Sequence, residues 1–211
     1  TENSLAWFFL AKEQWADGIE FDVSRTKDKK NVVMHWESLY PTICGANKKV
    51  TEYTLAQLQS ECPLTNKEPI RTLKDMLSAI DGLFEYYFVE IKVYNPKSAR
   101  AQTEDAIATV KSLRMEDRVI FISYDKTAKS ILGSTTGIIA WWDTFATGDF
   151  ASLSGTNFSY VLMPHDVIRS GIALDTQTIW KTFVTYTVNT TGEFDKLYKQ
   201  GIRFVMTDDI P

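Results

Sequence analysis

From about residue 80 onward the sequence alternates between short β-prone runs and longer amphipathic stretches, and no other feature constrains the fold as tightly. Tyr87-Phe88-Val89-Glu90-Ile91-Lys92-Val93 is dense in β-branched and aromatic residues. A helix near Ser98–Leu113 follows, with Ala106, Ile107, Val110 and Leu113 at helical spacing. The pattern then gives a strand at Val119–Ser123, a helix near Lys126–Leu132, and strands at Gly137–Trp142 and Ser159–Met163. A short helix near Asp175–Trp180, a strand at Thr182–Val188, a helix at Glu193–Gln200 and a strand at Ile202–Thr207 complete it. Strands separated by helix-length segments pair in parallel, because a parallel neighbour needs a crossover.

With an earlier strand at Gly18–Val23 the count is about seven, and the chain begins with a helix. A closed barrel of eight strands needs one more, and its natural place is before Thr1. The expected fold class is therefore α/β, a TIM (β/α)8 barrel whose first strand is missing from this chain. An open doubly wound sheet competes, but no glycine-rich phosphate loop follows any strand. In a barrel the site lies at the C-terminal strand ends, where Asp22, Glu90, Ser123, Asn189 and Asp208 fall.

The 211 residues suffice for one domain with a sizeable core, taken as 1–211. Ser4–Ala16 reads as a helix capped by Ser4, with Leu5, Phe8, Phe9, Trp15 and Ala16 near one stripe and Trp7 and Trp15 assigned to the core. Thr26–Lys30 is a turn, and Asn31–His35 a hairpin partner or strand extension. Residues 36–70 lack periodicity, are broken by Pro41 and Pro63, and read as a loop-rich insertion able to cover a site. Thr72 caps a helix running to Ile80.

Gly18-Ile19-Glu20-Phe21-Asp22-Val23 sets Ile19, Phe21 and Val23 on one strand face and two carboxylates, Glu20 and Asp22, on the other. Side chains at i and i+2 are close enough to repel unless water screens them or a cation sits between them. A solvated strand face and a metal site explain that stretch equally well. The Glu90 strand adds a third acid on a non-core face, which suits an oxygen-rich site for a hard divalent cation. An exposed edge defended by Glu90 and Lys92 is the alternative.

Net charge is −4 with no basic block, which argues against nucleic acid or anionic membranes as partners. No apolar run reaches transmembrane length. Cys44 and Cys62 lie in the insertion. A disulfide between them would favour a secreted or periplasmic location over the cytoplasm, while two buried thiols explain the same count. Asn157-Phe158-Ser159 and Asn189-Thr190-Thr191 match the glycosylation sequon, a pattern that arises often by chance.

Taken in order, these segments resemble the glycerophosphodiester phosphodiesterase family. Thr1-Glu2-Asn3-Ser4 is similar to the end of its Pro-Glu-Asn-Thr motif, and Gly18–Val23 with Thr26-Lys27-Asp28 to its G-x-x-E-x-D-V…T-K-D signature. Val33-Met34-His35 resembles the segment ending in a catalytic histidine. Thr72-Leu73 resembles P-T-L, Val89–Lys92 the E-I-K strand, and Ser123-Tyr124-Asp125 the S-F-D segment. Thr187-Val188-Asn189 resembles W-T-V-N, and Thr207–Pro211 the closing T-D-x-P.

The resemblance implies a barrel enzyme that hydrolyses glycerophosphodiesters to glycerol 3-phosphate and an alcohol. It assigns Glu20, Asp22 and Glu90 to a divalent cation, magnesium or calcium, and His35 as one of two acid/base imidazoles. It places Lys92 on the phosphate, and Tyr186 where the family has a pocket-lining tryptophan. In the family the substrate's own glycerol hydroxyl attacks first, giving a cyclic phosphate that water opens. The chain lacks the family's first motif, H-R-G, and has His35-Trp36 where the family has His-Asp. These departures keep two other readings open: a non-catalytic relative that binds a phosphorylated polyol or glycan, and a phosphodiesterase for another lipid head group. His165 reads as a plain hydrogen-bonded histidine.

Overall fold

The structure, a computed structural model, describes residues 1–143, 159–169 and 182–209. The helix expected near Asp175–Trp180, and Asn157 and Phe158 of the first sequon, lie outside the described residues. The chain divides into two compact units, Thr1–Ile138 and Ile139–Pro211.

In the first unit α1 (Leu5–Glu13) leads into β1 (Gly18–Arg25) and β2 (Asn31–Val33). A small excursion then holds β3 (Ser38–Leu39), β4 (Gly45–Lys49) and α2 (Leu55–Glu61). After it come α3 (Leu73–Ile80), β5 (Tyr86–Ile91), α4 (Ala99–Leu113), β6 (Val119–Ile122) and α5 (Lys126–Ser134). The sheet order is β6-β5-β1-β2, with β1, β5 and β6 parallel and β2 antiparallel to β1. The β1–β5 register sets Asp22 beside Glu90 and Gly18 beside Tyr86. A methyl group at Gly18 would stand 2.9 Å from the Tyr86 carbonyl oxygen, so only glycine lets the two strands start this close.

Alternation along β5 predicts one apolar and one solvated face. The structure buries both: Tyr87, Phe88, Val89, Glu90 and Ile91 are all buried. Central parallel strands carry crossover helices on their faces, so polar residues on them are enclosed instead of washed. Lys92 lies just past the strand, which ends at Ile91.

Ser4 caps α1 as expected, its hydroxyl accepting from the amide of Trp7. Phe8 is buried and packs on Phe21 with ring centroids 5.6 Å apart. Assignment of Trp7 and Trp15 to the core is corrected: they are 44% and 89% exposed, and Phe9 is 44% exposed. The helix stops at Glu13, and Trp15 follows it in a left-handed conformation (φ 66°), off the stripe that a longer helix would have given.

The 36–70 insertion is more ordered than its aperiodic sequence suggests. β3 and β4 form an antiparallel pair, and α2 starts in a capping box between Thr54 and Gln57. Leu39, Val50, Leu58, Leu64 and Ile70 form one cluster with Val32 and Met34. Cys44 and Cys62 are joined by a disulfide. Elements of two to seven residues are too short to display a period, so only packing reveals them.

The second unit contains β7 (Ile139–Asp143), β8 (Tyr160–Pro164), α6 (His165–Arg169), β9 (Thr182–Tyr186), α7 (Thr191–Lys199) and β10 (Phe204–Val205). Its strands are parallel in the order β10-β9-β8-β7, over a cluster of Val161, Met163, Phe183, Val188, Leu197 and Ile202. Each of the seven expected parallel strands is thus present. Among the described residues no helix is long and apolar enough to cross a membrane.

Candidate active site

The parallel register of β1 and β5 brings the acidic positions of both strands to one place. Glu20, Asp22 and Glu90 each present a ligand oxygen, and these oxygens lie within 4.8 Å of one another. Asp22 and Glu90 are buried and Glu20 is exposed. Lys92 reaches back over the two buried acids, with Nζ 2.7 Å from Glu90 Oε1 and 3.3 Å from Asp22 Oδ1. Glu90 Oε1 nevertheless makes no hydrogen bond of good geometry.

Burial pushes the Glu90 carboxyl above its ordinary range and the neighbouring Asp22 adds to this, while Lys92 offsets only part. Burial opposes the Lys92 charge, but Glu90 and Asp22 together outweigh it and hold the ammonium above its usual value. With all four groups ionised, one ammonium against three carboxylates leaves two negative charges in excess. Clustered hard oxygens, an under-bonded buried carboxylate and that excess fit a hard divalent cation.

Asn3 clamps Asp22 from both ends. Its Nδ2 donates to Asp22 Oδ2 at 3.1 Å, and the Asp22 amide donates to Asn3 Oδ1 at 3.0 Å. The left-handed φ of 57° at Asn3 is one that asparagine tolerates.

His35 follows β2, anchored where the Met34 amide donates to the Asp22 carbonyl. Its Nδ1 lies 3.9 Å from Glu2 Oε1, an ion-pair distance. The Glu2 carboxylate holds the imidazole above its ordinary value against the opposing effect of burial, and Asp22 contributes in the same direction. In return His35 lowers Glu2, with Trp36 helping. The Trp36 ring packs on the His35 ring at 4.3 Å between centroids. The Tyr94 hydroxyl donates to the His35 carbonyl.

Of the residues singled out in the sequence, Glu20, Asp22, Glu90, Lys92 and His35 all belong to the first unit. Tyr186 ends β9 in the second unit, paired in register with Pro164. His165 also belongs there, its Nδ1 3.3 Å from the Tyr186 carbonyl oxygen and its Nε2 3.9 Å from Glu193. Glu2, Asn3, Trp36 and Tyr94 escaped the sequence-derived site. Glu2 and Asn3 had a usable signal in the motif they end, whereas nothing in the sequence aims Tyr94 at His35.

Residues 1–138 match the Glycerophosphoryl diester phosphodiesterase family. The chain belongs to this family. It is thereby a phosphoric diester hydrolase of the class that acts on glycerophosphodiesters. The glycerophosphodiester phosphodiesterase of Caldanaerobacter subterraneus subsp. tengcongensis is 27% identical over 228 residues, covering 99% of this chain and 88% of that protein. Among solved structures, the Parabacteroides distasonis glycerophosphodiester phosphodiesterase is similar at TM-score 0.82 and 23% identity, over 99% of this chain and 88% of that one. An Oleispira antarctica phosphodiesterase, solved with its product sn-glycerol-3-phosphate, is similar at TM-score 0.84 and 21% identity, over 98% of this chain and 87% of that one. These likenesses give the fold class as α/β, the TIM barrel of the family. Glycerophosphoryl diester phosphodiesterases generally use a divalent metal ion.

Proposed function

We propose that the chain hydrolyses glycerophosphodiesters to glycerol 3-phosphate and an alcohol, using magnesium or calcium held by Glu20, Asp22 and Glu90. The observation that carries this reading is the convergence of three carboxylate oxygens within 4.8 Å, with Lys92 on two of them. When bound, the cation polarises phosphoryl oxygens and offsets developing charge. Lys92 supplies a fixed positive charge to the phosphate.

His35 is the acid/base group of this unit. Glu2 faces Nδ1, which favours the proton there and leaves Nε2 to accept the proton of the attacking glycerol hydroxyl. Attack of that hydroxyl on phosphorus forms a cyclic phosphate and breaks the bond to the alcohol oxygen. That oxygen leaves with a proton from the second acid/base group that the resemblance implies, and the same group then takes a proton from the water that opens the ring. The proton taken at Nε2 is available for return to an oxygen in the second step. Tyr186 is assigned to the pocket wall on the resemblance alone. The Cys44–Cys62 disulfide supports a secreted or periplasmic location.

The test is release of glycerol 3-phosphate from glycerophosphocholine and glycerophosphoethanolamine by the full-length protein. Activity should vanish in EDTA, return with excess magnesium or calcium, and fall by about 10² or more in Glu20→Gln and Glu90→Gln. Turnover undiminished by EDTA and by both substitutions would overturn the assignment.

A further inference from the structure

The first unit carries a second recess of the opposite charge. A cavity of about 200 Å³ is lined by Arg25 and the β1–β2 turn, by Thr51, and by Ser98 at the start of α4. Arg25, Lys27 and Lys29 contribute three cations, and no carboxylate is among the described lining residues. Arg25 stands three positions beyond Asp22 on β1, so its side chain leaves the opposite face of the strand. The recess is therefore separate from the carboxylate cluster.

Arg25 is the observation that singles this recess out from an ordinary lysine-rich turn. Its side chain is 8% exposed, and its Nη2 pairs with Asp105 at 2.6 Å. Its Nη1 is buried with no hydrogen-bond partner among the described residues. A guanidinium has five donors, and an enclosed one left partly unsatisfied is costly. The acid nearest in sequence, Asp28, is already engaged by the Thr26 hydroxyl and the Leu55 amide. A 3₁₀ turn, Pro96–Ser98, capped by Asn95 runs straight into α4, and Asn95 and Ser98 both line the recess, so the positive end of that helical run adds to the same field. The Thr51 hydroxyl adds a donor to a lining suited to tetrahedral oxygens, while the Ser98 hydroxyl already donates to the Asn95 carbonyl.

We propose that this recess is a binding site for a phosphate group, as free phosphate or a small phosphomonoester, distinct from the carboxylate cluster. It stands whether or not the hydrolytic reading above holds. Tyr94 lines the recess and donates to the His35 carbonyl, so an occupant would sit one residue from the imidazole.

The test is calorimetric titration of inorganic phosphate into the full-length protein in EDTA, at ionic strength held constant with chloride. Without a cation the carboxylate cluster is net negative and repels phosphate, so binding there is suppressed. One saturable site is expected. Lys27→Gln/Lys29→Asn should weaken it at least tenfold, and Lys92→Met should leave it within twofold. Asparagine suits the left-handed φ of 65° at Lys29, and Lys27→Glu alone repeats the test without touching that position. Titration with sn-glycerol 3-phosphate separates the two occupants: tighter binding than inorganic phosphate assigns the ester, weaker binding the free ion. Absence of saturable heat, equal heat from chloride, or unchanged affinity in both lysine variants overturns the proposal. So does loss of binding in a Lys92→Met protein whose thermal melt shows it folded at the titration temperature, which would move the phosphate to the carboxylate cluster.

Discussion

The Glu2 carboxylate stands 3.9 Å from Nδ1 of His35, and each shifts the other's titration toward its charged form. The residue following His35 is a tryptophan, which cannot do this, so the partner comes from the segment before α1. The Trp36 ring instead covers one face of the imidazole. His35 is thus oriented by residues 33 positions apart in sequence as well as by its neighbour.

Glu2→Gln removes the main cause of the raised His35 value. The imidazole should fall toward its ordinary 6.5, and the limb of the rate–pH profile that follows His35 should move to lower pH. Activity at the optimum should drop about tenfold, well short of the 10²–10⁴ lost on removing an acid/base group outright. Stability follows the same pair. Glu2 is depressed, so its contribution is complete above 4.5 and fades as pH falls through the folded value. His35 is raised, so its contribution is complete below 6.5 and fades as pH rises through the folded value. The difference in Tm between wild type and Glu2→Gln should peak between those two pH values. A difference independent of pH would mean that Glu2 acts by packing alone.

Lys92 is the counter-charge for two buried acids, which makes Lys92→Met a test of the cluster's electrostatics. Leaving Asp22 and Glu90 without their ammonium should cost about 3 kcal/mol in EDTA, in the range for breaking a buried pair. Saturating magnesium or calcium should restore a large part of that loss, because a cation on the carboxylates replaces the missing charge. Thermal melts with and without metal measure both effects. A melting temperature that ignores metal in wild type and variant alike would show that the carboxylates do not hold a cation.

Local pattern revealed much of this molecule and missed what depends on distant packing. Alternation along the chain located all seven parallel strands, and the i, i+2 acids of Glu20 and Asp22 marked one side of the site before any pairing was known. Register supplied the rest: Asp22 meets Glu90 because β1 and β5 run parallel at one offset, which no single stretch encodes. Glu90 reads as solvated from its own strand and is 8% exposed in the fold, since the second face of a parallel sheet is also covered. Asn3 and Glu2 act across 19 and 33 residues, and Tyr94 reaches His35 across 59. Such contacts have no period to read.

The Cys44–Cys62 bond closes a loop of 18 residues that supplies Val50 and Leu58 to the cluster with Leu39 and Leu64. Loop-closure entropy puts its contribution near 3 kcal/mol. Replacing both cysteines with serine should lower the denaturation midpoint accordingly. Amide exchange should rise first in residues 36–70, because that excursion pairs β3 and β4 only with each other and the lost bond lies within it. Uniform acceleration over the whole first unit would show instead that the excursion and the sheet unfold together.

Trp15 gives the sharpest contrast between a sequence reading and the fold. As a core tryptophan its removal would cost about 3–5 kcal/mol. In the structure it is 89% exposed and sits at φ 66°, a conformation that glycine adopts without strain. Trp15→Gly should therefore change stability by less than about 1 kcal/mol, and in the stabilising direction, because relief of the left-handed strain outweighs the small area of ring that is covered. Chemical denaturation measures the sign directly. A loss of several kcal/mol would put the indole against an apolar surface and return it to the role that the helical stripe first suggested.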